Sequence, residues 1–139
     1  MSLLNSFKVS GTGLLAQSAR LNTTASNLAN SETAASSEAE AYQTRKVIFE
    51  AELEGAFGSR AKAAIGVNAK EVVLIDDPAK KIFDPSHPMA DGDGFVYMPN
   101  VDVAGEMVEM IASSRSYQMN AEVMNTSKNL MLKTLGLGE

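Results

Sequence analysis

Acid–base work would fall to His87, the single histidine of the 139-residue chain. An imidazole serves as a general base near neutral pH when neighbouring groups hold it against a substrate. His87 stands instead in the run Asp84-Pro85-Ser86-His87-Pro88, which reads as an exposed turn with a structural role for the ring. Asp91-Gly92-Asp93-Gly94 has the look of part of a calcium loop. Setting Gly94 at that loop's invariant glycine puts Met89 at the first ligand position and Asn100 at the twelfth, where carboxylates are required. A plain tight turn is the better reading. Glycan hydrolysis needs two carboxylates placed across a cleft, and Asp91 and Asp93 share one turn. With no cysteine and one histidine, neither a zinc site nor thiolate chemistry has donors to build on. Gly55, Gly58 and Gly66 match neither phosphate-loop spacing. We expect no enzyme, no catalytic residue, no metal, no cofactor and no small-molecule substrate.

Charge points away from nucleic acid as well. The net charge is −5, and no basic cluster offers a footprint for a phosphate backbone. Residues 31–54 hold six acids against Arg45 and Lys46, a solvated acidic face. The absence of cysteine rules out a disulfide framework and leaves the compartment open. No apolar run approaches the roughly 18 to 20 residues that cross a bilayer, and we read no removable signal peptide at the N-terminus.

The elements that would hold any site say more than these candidates do. Phe7, Leu14, Leu21 and Leu28 fall seven apart, with Leu4, Gly11, Ser18 and Ala25 at the alternate offset. This 3-4 alternation marks a helix that packs on a partner helix. It predicts a helix over residues 3–30, capped by Ser2 and stopped by Asn30 in a left-handed conformation. Gly11 and Gly13 each weaken it by up to about 1 kcal/mol relative to Ala, which makes them the place for any bend. Asn22, Asn27 and Asn30 are poor helix formers; they read either as solvated positions or as hydrogen-bonding groups at subunit contacts.

After Pro99, Asn100 or Asp102 can cap a second long helix, with Glu106 and Glu109 at its positive end. Its expected seam is Val103, Met107, Met110, Ser114, Tyr117, Ala121, Met124, Lys128, Met131 and Leu135, and only Lys128 breaks the apolar rule decisively. Large residues (Met110, Tyr117, Met124, Met131) alternate with small ones, as in the first helix, so the two ends of the chain are each other's expected partners. Seven of the eight methionines follow residue 88, suited to core packing or to an adaptable surface.

Between the helices, residues 31–41 read as an exposed acidic connector. Within residues 42–53 the core Val47-Ile48-Phe49 reads as a strand, residues 67–75 as a second strand, Lys81 to Phe83 as a short extended run, and Phe95 to Met98 as another. Gly55, Gly58 and Gly66 break the stretch between the first two. The expected fold is α+β: long N- and C-terminal helices paired as an antiparallel coiled-coil-like rod, with a small β-rich middle unit at its head. The expected divisions are 1–30, 31–41, 42–99 and 100–139. One two-helix seam buries little against the entropy of ordering so long a helix. The ends are therefore expected to gain order on assembly.

The segment Leu15-Ala16-Gln17-Ser18-Ala19-Arg20-Leu21-Asn22, with Asn27-Leu28-Ala29-Asn30, resembles the N-terminal signature of bacterial flagellar rod, hook and hook-associated proteins. Met98-Pro99-Asn100-Val101-Asp102-Val103, Glu106-Met107, Ser114-Arg115-Ser116-Tyr117-Gln118 and Asn120 resemble, more narrowly, the C-type proximal rod proteins. Asn125-Thr126 and Met131-Leu132-Lys133-Thr134-Leu135 carry the likeness to the C-terminal end. Thr23-Thr24 replaces the usual Val after Leu-Asn, and Ser31-Glu32-Thr33 replaces an Asn-Thr close.

The resemblance implies a structural subunit of the proximal rod, the drive shaft that crosses the periplasm between membrane ring and hook. It implies export through the flagellar type III apparatus without a cleaved signal peptide. The implied partners are copies of itself, other proximal and distal rod proteins, and the rod–ring adaptor protein. The span between the helices is too short for the outer domains of a hook or distal-rod protein. Expected packing and assembly residues are Phe7, Leu14, Leu21, Asn22, Asn27, Leu28, Asn30, Met107, Met110, Tyr117, Met124 and Met131. The competing reading is a soluble coiled-coil adaptor that does not polymerise.

Overall fold

A computed structural model describes residues 3–54 and 64–136. The expected cap at Ser2 and the expected breaks at Gly55 and Gly58 lie outside them. Helix α1 (Leu3–Asn30) runs unbroken through Gly11 and Gly13. Its end differs from expectation, because no non-glycine residue among those described has positive φ. Side chains close it instead: Asn30 Nδ2 donates to Ser26 O at 2.8 Å and Ser31 Oγ donates to Leu28 O at 2.8 Å. Polar side chains satisfy the last carbonyls as well as a left-handed residue would.

Four strands follow: β1 (Arg45–Glu54), β2 (Ala64–Leu74), β3 (Lys80–Phe83) and β4 (Phe95–Met98). They form two separate two-stranded antiparallel sheets rather than one small unit. In the first, Arg45 stands opposite Leu74 and Phe49 opposite Ala69, with a bulge between Ile48 and Phe49. In the second, Lys80 faces Met98 and Phe83 faces Phe95. The connector is not merely exposed. Ala35 donates its N–H to Tyr97 O at 2.8 Å and accepts from Tyr97 N–H at 3.0 Å, extending the second sheet by one bridge. Helix α2 (Val103–Gly136) closes the chain. Asp102 precedes it, and its Oδ2 lies 2.5 Å from where a Cβ on Gly105 would stand, so a larger residue there would have to turn that exposed carboxylate aside.

The fold is α+β, but the first hairpin does not sit as a head beyond the helices. Val67 meets α1 at Thr12, whereas Arg45 meets it at Asn27. The first hairpin therefore lies along α1, opposite ends of the ladder touching helix positions about 22 Å apart. Strands of ten and eleven residues are too long to pack on themselves, and α1 offers them a second face.

Little apolar material is buried. Among the described residues the buried apolar side chains Ala16, Ala35, Val96 and Val101 are small or mid-sized, and Ser10, Thr24, Asn27, Thr44, Glu106, Ser113 and Ser127 are buried with them. The accessible surface is 9636 Å², whereas a compact monomer of 14.8 kDa would expose about 7,000 Å². The chain is extended and holds much of its apolar surface in water.

Candidate assembly surface

The two helices pack antiparallel. Met124 Cε lies 3.4 Å from the position of a Cβ on Gly11, and Asn120 Nδ2 2.9 Å from one on Gly13. Nearer the other end Arg20 Nε reaches Glu109 Oε1 at 3.8 Å. The large column Met110, Tyr117, Met124 and Met131 borders this contact, with Met110, Met124 and Met131 half-buried and Tyr117 more open. The column beside it departs from expectation. Glu106, Ser113 and Ser127 are buried, with Asn120 opposite Gly13, while Met107 and Lys128 stand in water. Hydrophobicity alone selects the Met107 column. In the fold Glu106 instead borders a small cavity that it shares with Arg20 and Thr24 of α1 and Arg45, Lys46 and Val47 of the hairpin. Gln17 Oε1, Ser113 Oγ and Glu106 Oε2 are nonetheless buried with no hydrogen-bond partner in the chain. Each such group costs about 1–3 kcal/mol, so this interface is weak for its length.

Asn27 fastens the hairpin to α1. Its side chain is 1% exposed. Nδ2 donates to Arg45 O at 2.8 Å, and Oδ1 accepts from Arg45 N–H at 3.0 Å and from Tyr42 Oη at 2.9 Å. Ser26 Oγ lies 3.2 Å from the same Tyr42 hydroxyl. The Arg20 guanidinium sits 4.3 Å over the Phe49 ring while reaching Glu109, which ties hairpin, α1 and α2 at one point. Asn27 thus works inside the chain. Of the other asparagines, Asn22 is exposed and Asn30 caps its own helix. Phe7, Leu14, Leu21 and Leu28 are all half-buried.

Sequence reasoning set Val103 and Met107 on the inner seam and passed over Ile111, Met119 and Val123, which continue their row around α2. Val103, Met107, Ile111, Met119 and Val123 follow one another at four-residue intervals, interrupted only by Arg115, and all five are exposed, Met119 to 63%. Residues four apart form a ridge on a helix surface, and such ridges seat in the grooves of another helix. The seven-residue count used to find the inner seam is blind to this row. A search for apolar residues at steps of four would have found it.

The turn-rich segment before β4 is self-contained. Asp91 Oδ1 accepts from Asp93 N–H at 3.0 Å and Phe95 N–H at 2.8 Å, and Oδ2 lies 3.3 Å from Tyr97 Oη. The Phe95 amide is the main reason the Asp91 carboxyl is held below the ordinary range. Asp84 is lowered likewise, chiefly by the Ser86 hydroxyl, which donates to Oδ1 at 2.7 Å. Gly94 closes the turn at φ +81°, a left-handed position. His87 Nδ1 accepts the Met89 N–H at 3.1 Å. The hydrogen bonds of Asp91 go to its own turn and to β4, and among the described residues no three His, Cys, Asp or Glu side chains converge as a metal would require. No described helix is long and apolar enough to cross a membrane.

Comparison with known proteins adds independent findings. A family model described as flagella basal body rod protein matches residues 7–34, and one described as flagellar basal body rod FlgEFG protein C-terminal matches residues 93–137. These spans take in most of α1 and of α2. Over the full length of both chains the sequence is 45% identical to the flagellar basal-body rod protein FlgC of Salmonella typhimurium. On the same full coverage it is 47% identical to FlgC of Yersinia enterocolitica and 30% identical to FlgC of Bacillus subtilis.

Proposed function

Since the chain belongs to the FlgC family of flagellar basal-body rod proteins, and so is a structural subunit of the rod that serves motility, we propose how its helices build that rod. The observation that carries the proposal is the ridge Val103, Met107, Ile111, Met119 and Val123, left in water by a chain whose own core is thin and polar. Subunits polymerise through α1 and α2. The ridge of one copy seats against helices of its neighbours, and the α1–α2 pair tightens into a coiled-coil-like seam around Leu14, Leu21, Leu28, Met110, Tyr117, Met124 and Met131. In this scheme residues 1–30 and 100–139 form the rod core, 42–99 the outer β unit, and 31–41 the connector between them.

Torque passes through such an assembly because long helices resist bending and twisting when packed on several sides. The neighbours are further copies, the other proximal and distal rod proteins and the rod–ring adaptor. The subunit reaches the periplasm through the flagellar type III export apparatus without losing a signal peptide; a weakly buried core unfolds at small cost for passage. The role is structural and involves no catalysis.

The test uses Leu21→Asp, Tyr117→Asp and Met119→Asp in a motile cell lacking the native copy. Met119 is exposed, so its substitution spares the monomer and probes docking alone. All three variants are expected to be made at normal levels, to be missing from purified basal bodies and to leave cells non-swimming. Normal swimming with all three, or a native protein that stays monomeric at any concentration, overturns the proposal and favours a non-polymerising adaptor.

A further inference from the structure

The outward face of α2 carries two opposite charges. Arg115 and Glu122 are both exposed, and neither has an ion pair or hydrogen bond among the described residues. Seven residues apart, they share one face of the helix about 10.5 Å from each other along its axis. That is beyond the spacings of three and four at which side chains of one helix pair, and no opposite charge lies at those spacings from either. Between them stands Met119, with Val123 next on its ridge, exposed to 63% and 47%. A partner that covers this ridge also covers the Arg115 guanidinium, which then needs a carboxylate. Helix α1 supplies none, since residues 3–30 hold no Asp or Glu. On α2, Glu106 is buried and Glu109 is taken up with Arg20. Within the helices that leaves Glu122 of another copy.

We propose that two free copies pair through this face, antiparallel, about a twofold axis beside residues 118 and 119. Residues 115 and 122 are equidistant from that axis, so Arg115 of one copy meets Glu122 of the other and symmetry repeats the bridge at the far end. Met119 falls beside the axis and packs on its own counterpart, with Val123 next to it and the aliphatic stem of Arg115 over both. A parallel pair in register sets like charges together, and a staggered one satisfies a single bridge. A twofold contact closes on itself, whereas a rod is built from contacts that propagate. The pair is a resting form of the free subunit that covers the docking ridge before assembly, and this last consequence rests on the rod reading given above.

Sedimentation of the purified full chain at about 100 µM should show a dimer. Arg115→Glu and Glu122→Arg each bring like charges together at both ends and should raise Kd about tenfold or more. The double variant R115E/E122R, and an equimolar mixture of the two single variants, restore opposite charges at both ends and should return to within about threefold of the native Kd. Orientation is read with cysteines, of which the chain has none. Ala112→Cys and Thr126→Cys, at exposed positions, face each other across the antiparallel pair, so oxidation should link their mixture and neither variant alone. A native chain that stays monomeric at that concentration, or passes from monomer to filament without a dimer, overturns the pair. So do a mixture of charge variants no tighter than its components, a cysteine mixture that does not link, and a link in either cysteine variant alone. In all of these cases the rod reading stands as long as Met119→Asp cells fail to swim.

Discussion

Replacing Asn27 by alanine tests whether the hairpin is fastened where the structure puts it. The substitution removes three hydrogen bonds, two to Arg45 and one from Tyr42. At about 1 kcal/mol net each they amount to about 3 kcal/mol. Alanine returns up to about 0.7 kcal/mol in helix propensity, leaving a loss of about 2.3 kcal/mol. Unfolding entropy of about 2.1 cal/mol/K per residue gives about 0.3 kcal/mol/K for a chain of this length. The midpoint should therefore fall by about 8 °C. Thermal and urea unfolding followed by helical circular dichroism measure it. Asn22→Ala is the matched control: Asn22 is exposed, so only the propensity gain remains and the midpoint should rise by about 2 °C. Shifts of the same sign and size for the two variants would refute the reasoning, because they would place both asparagines in equivalent surroundings.

Ser113→Ala should stabilise the chain by about 1 kcal/mol, since its buried hydroxyl has no partner; a loss in urea unfolding would reveal a partner supplied by solvent. Gly94→Ala should cost about 1–3 kcal/mol, because φ is +81° and a Cβ would meet Phe83 and Pro85 at 3.1 and 3.2 Å; nuclear magnetic resonance of the β3/β4 turn would show the disturbance locally. Asp91 and Asp84 have folded pKa values below the ordinary 3.8. Their contribution is thus complete above that value and vanishes as pH falls beneath it. Amide exchange in residues 84–95 should stay constant from pH 7 to about pH 5, after correction for intrinsic rates, and loosen below about pH 4. Asp91→Asn should remove most of that dependence.

Much of the fold was legible because it follows from periodicity. The seven-residue repeats of α1 and α2, the strand at Val47 to Phe49, the DGDG turn and the order of elements depend on neighbours within a turn or two. The asparagines show where such reading stops. Asn22, Asn27 and Asn30 are alike in sequence, yet one faces water, one organises a junction and one caps its own helix. Nothing local separates them, because what differs is whether β1 passes overhead. The polar column of α2 was missed for the same reason. An apolar count prefers Met107 to Glu106, whereas in the fold Glu106 is buried beside Arg20, Arg45 and Lys46 and Met107 is exposed.

The amino-acid order by itself determined that this chain has two long helices and carries motifs of the flagellar rod. Those properties are written in spacing and residue type, which need no third dimension. Tertiary structure alone decided that the hairpin lies along α1, that Glu106 is inside and Met107 outside, and that the apolar ridge of α2 is left open. Each of these depends on which of several compatible faces a third element covers. That choice is made by the sum of contacts among α1, β1 and α2, and no single segment carries it.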